Sequence, residues 1–145
     1  MSKSNTWESD LLLLVFNNTN AGSIGDATGL RGSSAAGSLY LSLHTSDPGE
    51  AGDQTTNEVA YTSYARVAVA RSGSGFTVTG NAVALAANAD FPAGTGGSGT
   101  ATHFGIGTDA SGAGKLLYKG AISPNIVCGN GVTPRINAGT VVTED

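Results

Sequence analysis

Glycine pairs, two histidines and an acidic run are the parts of this sequence whose types and spacing invite chemistry. Gly105-Ile106-Gly107, with Ala110 beyond, mimics a dinucleotide-binding turn. Such a turn works only where a helix begins at once and offers its N-terminus to the pyrophosphate. Here another glycine-rich turn and a strand pattern follow, so no nucleotide site is expected. Gly114-Lys115 suggests a phosphate loop, but Asp109 stands where the first glycine belongs and Leu116 where a Ser or Thr must bind magnesium. Lys115 therefore reads as a solvated lysine at a strand end. His44 with Asp47 nearby has the composition of a base and its orienting carboxylate. No serine lies in a nucleophile-elbow context, and His44 is expected to be structural. His103, opposite in face to Phe104, is expected to be exposed or at an interface. Asp47, Glu50 and Asp53, with Glu58 beyond, form an acidic loop. Calcium needs six or more oxygens in a tight loop, and this spacing predicts a solvated loop instead. Arg66 and Arg71 bracket a strand; one of them pairs with the acidic loop or with a partner's acidic patch, or both are exposed strand-end charges. Cys128, the only cysteine, allows neither an intrachain disulfide nor a zinc site of its own, and fits a reducing cytosol. No catalytic constellation emerges, so no enzyme activity, cofactor, metal or small-molecule substrate is expected.

These residues depend on a mostly β framework. Ser4 to Asn18 reads as the one good helix. Asn5 and Glu8 have the shape of a capping box, and Asn17 and Asn18 are stop residues. Trp7, Leu11, Leu14 and Val15 recur at helical spacing, with Leu12, Leu13 and Phe16 widening the stripe. A helix this apolar must be covered, here by its own domain in preference to a partner. Thr19 to Ser38 is rich in Gly, Ala and Ser and reads as a loop or adaptable arm. From Leu39 the period becomes two: Leu39, Leu41 and Leu43 alternate with Tyr40, Ser42 and His44, a half-buried strand. Asp47-Pro48-Gly49 is a turn. Further strands are expected at Arg66–Arg71, Phe76–Thr79, Thr102–Ile106 and Leu116–Ile122, the last ending before Pro124. Ile126–Cys128 and Val132–Ile136 bracket Gly129-Asn130-Gly131 as a hairpin, and Val141–Thr143 closes a sheet. Short strands between glycine turns predict a mainly β chain, an antiparallel β-sandwich or jelly-roll-like domain with one N-terminal helix. Residues 1–38 would form the helix and arm, and 39–145 the sandwich.

Composition narrows the partners. Of 145 residues 22 are Gly, 39% are hydrophobic and 6% aromatic, so the core must be lean and part of the stability is expected from neighbours. Charged residues are 12%, roughly half the usual share, as suits faces covered in an assembly. The net charge is -4, and Lys3, Arg31, Arg66, Arg71, Lys115, Lys119 and Arg135 are scattered, so no nucleic-acid surface is expected. The apolar run Leu11–Phe16 follows acidic residues and is too short to cross a membrane, so neither a secretory leader nor a membrane partner is expected.

The stretches Trp7-Glu8-Ser9-Asp10-Leu11-Leu12, Leu39–Glu50, Gln54–Glu58, Tyr64–Val69, Thr102–Gly107 and Ser111–Tyr118 are spread along the chain from residue 7 to residue 118. In them the chain resembles a family of small phage and prophage virion proteins. The resemblance implies a structural part of a phage particle, made in the host bacterial cytoplasm. The leading expectation is a capsid decoration (cement) protein, a dimer or trimer clamping major capsid proteins. The alternative is a tail or fibre component whose β-sandwich binds a host glycan or protein. For the alternative, Tyr61 and Tyr64 are the loop-like aromatic candidates. Contact residues are expected on the helix stripe (Trp7, Leu11, Leu14, Val15), in the acidic loop (Asp47, Glu50, Asp53), and at Arg66 or Arg71.

Overall fold

The computed structural model describes residues 2–144. Its elements in chain order are α1 (Asn5–Asn17), β1 (Ser38–His44), β2 (Val67–Ala70), β3 (Phe76–Thr79), β4 (Ala82–Leu85), β5 (Ala89–Asp90), β6 (Ser98–Gly107), β7 (Leu116–Gly129), β8 (Arg135–Ile136) and β9 (Val141–Thr143). The sheets are ordered β2-β1-β6-β7, β3-β4-β9 and β5-β8, and β1 with β6, β6 with β7, β3 with β4, β4 with β9 and β5 with β8 pair antiparallel. The expected class, mainly β with one N-terminal helix, is what the chain adopts, and it is consistent with a β-sandwich.

The chain forms two compact units. The first takes in the residues up to Ser38, then Ala70–Asn88, then Asn137 onward; the second is Leu39–Val69 with Ala89–Ile136. Met1 and Asp145, the terminal residues of the division into 1–38 and 39–145 drawn from the sequence, lie outside the described residues.

In the first unit α1 packs on β3 and β4. Ser4, not Asn5, caps it. The extended backbone of Ser4 lets its hydroxyl accept from the Trp7 N–H at 3.3 Å while its carbonyl accepts from Glu8. Asn18 ends the helix in the left-handed region, at φ 55°, which Asn tolerates better than other side chains do. The buried row is Glu8, Leu12 and Phe16, four apart, with the Phe16 ring edge-on to Phe76 at 4.9 Å. Trp7, Leu11, Leu14 and Val15 are half-buried. The last turn carries no basic side chain. Arg71 supplies that charge from outside, donating to the carbonyls of Val15 (2.7 Å) and Leu14 (2.8 Å), which the helix leaves unpaired. Thr19–Gly37 has no regular element, yet it is tied down. Ala21 and Leu30 exchange two backbone bonds of 2.9 Å, and the Asn18 side chain bonds Ser33 in both directions.

In the second unit the register sets Leu41 against Ile106 and Leu43 against Phe104, giving one buried face. The expected half-buried β1 is corrected here: Ser42 and His44, on the other face, are also fully buried. β7 does not end before Pro124. It is the outer strand of its sheet, and Pro124 falls in the register break opposite Ala101–His103, where no ladder N–H is required. The expected hairpin at Gly129-Asn130-Gly131 is a turn between different sheets: Ile126–Cys128 stays paired with β6, whereas Arg135–Ile136 pairs with β5.

Candidate functional surface: a clamped pair of loops

The second unit buries a layer of polar side chains, and space for it comes from glycine. Ser42 lies opposite Gly105, and Tyr40 opposite Gly107. A Cβ on Gly105 would come within 2.7 Å of Ser42 Oγ and 2.8 Å of His44 Nε2, and one on Gly107 would overlap the Gln54 side chain. The Gly105-Ile106-Gly107 pattern therefore clears room for Ser42, His44 and Gln54.

His44 is fully buried. Its Nδ1 is 2.8 Å from the Thr56 carbonyl and its Nε2 2.8 Å from Ser42 Oγ. A carbonyl only accepts, so Nδ1 carries the proton and Nε2 accepts from the Ser42 hydroxyl. Burial pushes the His44 pKa below its usual value, against the opposing pull of the Thr56 carbonyl and Glu58. The ring is neutral and holds the loop, and Asp47 does not orient it. Gln54 accepts from the Asp109 N–H at 2.9 Å and donates to the Tyr40 carbonyl at 3.4 Å, while its own N–H reaches the Gly114 carbonyl at 3.0 Å.

Arg66 is the second fastening. Its Nε and Nη2 grip both Glu58 oxygens at 2.7 and 2.8 Å, and the same guanidinium donates to the carbonyls of Asp109 (2.9 Å) and Gly112 (2.8 Å). The Arg66 side chain is 2% exposed and that of Glu58 16%. Tyr64 donates to Glu58 at 2.8 Å and accepts from the Leu43 N–H. Burial drives its phenol pKa strongly upward. Together these side chains clamp residues 45–57 and 108–115 to the sheet.

The remaining acidic groups serve the same loops. Asp47 accepts from the Gly49 N–H, and Asp53 from the Thr55 N–H and hydroxyl; these bonds hold both carboxyls below the usual range. Lys119 on β7 reaches Asp47 at 3.0 Å and Glu50 at 3.2 Å.

The nine residues singled out from sequence fall into two groups. Trp7, Leu11, Leu14, Val15 and Arg71 lie in the first unit; Asp47, Glu50, Asp53 and Arg66 lie in the second. Arg66 pairs with Glu58, just beyond the acidic loop. Arg71 also bonds the Ala36 carbonyl and Ser33 hydroxyl. Tyr61 and Tyr64 are not an exposed platform: Tyr61 is 2% exposed and meets Tyr64 edge-on at 5.4 Å, and Tyr64 stacks on Phe91. His103 is half-buried beside Thr102, and Cys128 is buried with its thiol pKa raised by burial. Sequence reasoning missed the clamping roles of Gln54, Glu58 and Lys119. The alternating glycines at 105 and 107, facing a strand with Ser and His on one face, were the available signal.

Among the described residues no group of three or more His, Cys, Asp or Glu is placed to hold a metal ion. No described helix is long and apolar enough to cross a membrane.

The second unit is thus a β framework whose buried polar groups fix two loops. Over residues 2–144 the chain matches the family model described as podophage GP4 fiber I protein gp80, and it belongs to that family. It is a bacteriophage structural protein, and that class fits a place in the virion. No curated protein matches it.

Proposed function

We propose that the chain is a non-enzymatic component of a phage fibre, built into the virion by packing against copies of itself and against an adjoining virion part. The family description, which covers nearly the whole chain, carries this reading. It weighs toward the fibre alternative and away from capsid decoration, which the sequence placed first. The clamped loops add support, because a shape fixed before contact lowers the ordering cost of association. The half-buried row Trp7, Leu11, Leu14 and Val15 and the outward acidic loop are the surfaces offered for packing. A closed dimer or trimer is expected, since closed symmetry is the common outcome for identical subunits.

The test is immunogold labelling of purified virions, with copy number from quantitative mass spectrometry. Gold at the tail with few copies per particle supports the fibre. Gold over the head, with binding to capsids that lack the protein, moves it to decoration between major capsid proteins. Absence from purified particles removes both roles.

A further inference from the structure

In the first unit the arm between α1 and β1 carries a loop that its own chain does not cover. The bridge between Ala21 and Leu30 closes residues 22–29, of which 22–28 are exposed. Among the described residues five large apolar side chains are exposed, and two of them, Ile24 (40%) and Leu30 (42%), lie on this loop and its closing bridge. Apolar packing therefore does not shape it; Asp26 does. One oxygen of that carboxylate accepts from the Thr28 N–H at 2.8 Å, the Thr28 hydroxyl at 2.5 Å and the Gly29 N–H at 3.0 Å. The Thr28 hydroxyl, so placed, accepts from Arg31 at 3.0 and 3.3 Å. Among the described residues no carboxylate pairs with Arg31. The loop thus presents two apolar side chains and an unpaired guanidinium in a shape set before any contact.

The helix of the same unit presents the complement. Successive helical residues turn by about 100°, so Trp7, Asp10 and Leu14 fall on the side opposite the buried row Glu8, Leu12 and Phe16. All three are half-buried. Asp10 has no ion pair or side-chain hydrogen bond among the described residues. An unpaired anion between two large apolar side chains matches an unpaired cation beside two others. Within one chain the two charges do not meet, because Arg31 is held at Thr28.

We propose that the 22–29 loop of one copy docks on the outer face of α1 in a second copy, with Ile24 and Leu30 against Trp7 and Leu14 and with Arg31 paired to Asp10 across the contact. Each copy carries both halves, so the contact is either exchanged in a dimer or runs head to tail round a ring. The apolar side chains shield the ion pair from water, which strengthens it beyond an ordinary surface pair. This rests on the reading that the chain packs against copies of itself, and names the surfaces that do so.

The experiment is sedimentation of the purified full chain over a concentration series. Arg31→Glu and Asp10→Arg should each raise the dissociation constant about tenfold or more, the factor set by one charged hydrogen bond. The double variant exchanges the charges and should recover most of the loss. Ile24→Ser should weaken association about tenfold through lost apolar burial. Dichroism at 222 nm checks that α1 is intact; Arg31→Glu and Ile24→Ser, on the exposed loop, decide the result where Asp10→Arg disturbs the helix. Association that ignores the loop variants, or a folded double variant no better than the singles, would overturn this contact and leave packing between copies standing. A parent chain that stays monomeric at every concentration would overturn both, while gold at the tail would still place the chain in the fibre.

Discussion

Replacing Arg66 tests the idea that one guanidinium holds both loops. Arg66→Met keeps the aliphatic stem and removes the fork. Glu58 then loses both charged donors and retains only the Tyr64 hydroxyl, and the carbonyls of Asp109 and Gly112 lose theirs. Breaking a buried ion pair from one side costs about 3–5 kcal/mol. The Glu58 side chain is 16% exposed and keeps one partner, which places the loss near the low end, at about 3 kcal/mol. For a chain of this size that lowers Tm by about 10 °C. Guanidinium unfolding followed by near-ultraviolet dichroism of the tyrosines measures it. The double variant Arg66→Met, Glu58→Gln should lose less than the sum of the two singles, because no unpaired charge is left behind. A single-variant loss under about 1 kcal/mol, the range of exposed pairs, would refute the clamp. Strict additivity in the cycle would do the same.

Gly107→Ala should destabilise by about 1–3 kcal/mol in urea unfolding because its Cβ overlaps Gln54. Gly99→Ala, in the same strand but with open space around its Cβ, should leave the midpoint nearly unchanged. Arg71→Ala should cost about 1–2 kcal/mol, since α1 loses the cation placed at its C-terminal carbonyls; dichroism at 222 nm should show the helix melting first. His44 should make stability pH-dependent. Its folded pKa lies below the unfolded value of about 6.5, so the unfolded chain takes up the proton first and stability falls as pH drops from 6.5 toward the depressed value. His44→Gln should flatten that slope, and an unchanged slope between pH 6.5 and 4.5 would assign it to other groups.

What the sequence revealed, and what it hid, divides by distance along the chain. The helix was legible because its signals are local: apolar spacing, a polar start and two asparagines at the end. Even so, its buried row is Glu8, Leu12 and Phe16, and the Trp7 row is half-covered, because a tertiary partner chooses which side of a helix with so broad an apolar stripe to bury. Strand positions were legible from alternation, whereas their partners were not. Pro124 reads as a stop, and it is one only where a neighbour demands its N–H; on an outer strand at a register break no neighbour does. The glycine turn at 129–131 has hairpin chemistry, but the strand after it finds β5, and that competition is settled by packing remote in sequence.

The same reasoning explains the hidden site. Gly105, Gly107, Gln54, Glu58 and Arg66 are unremarkable singly, and they acquire a role only when β1 and β6 come into register. In a lean core a β unit cannot gain order from large side chains alone. Here glycine on one strand makes room for polar groups from a loop, and those groups satisfy one another so completely that no buried side-chain nitrogen or oxygen among the described residues lacks a partner. The acidic loop is thereby held in one shape with Glu50 turned outward. A part that must meet its neighbours repeatedly in an assembly gains from such a shape, because the ordering entropy is taken up in folding and not again at each contact.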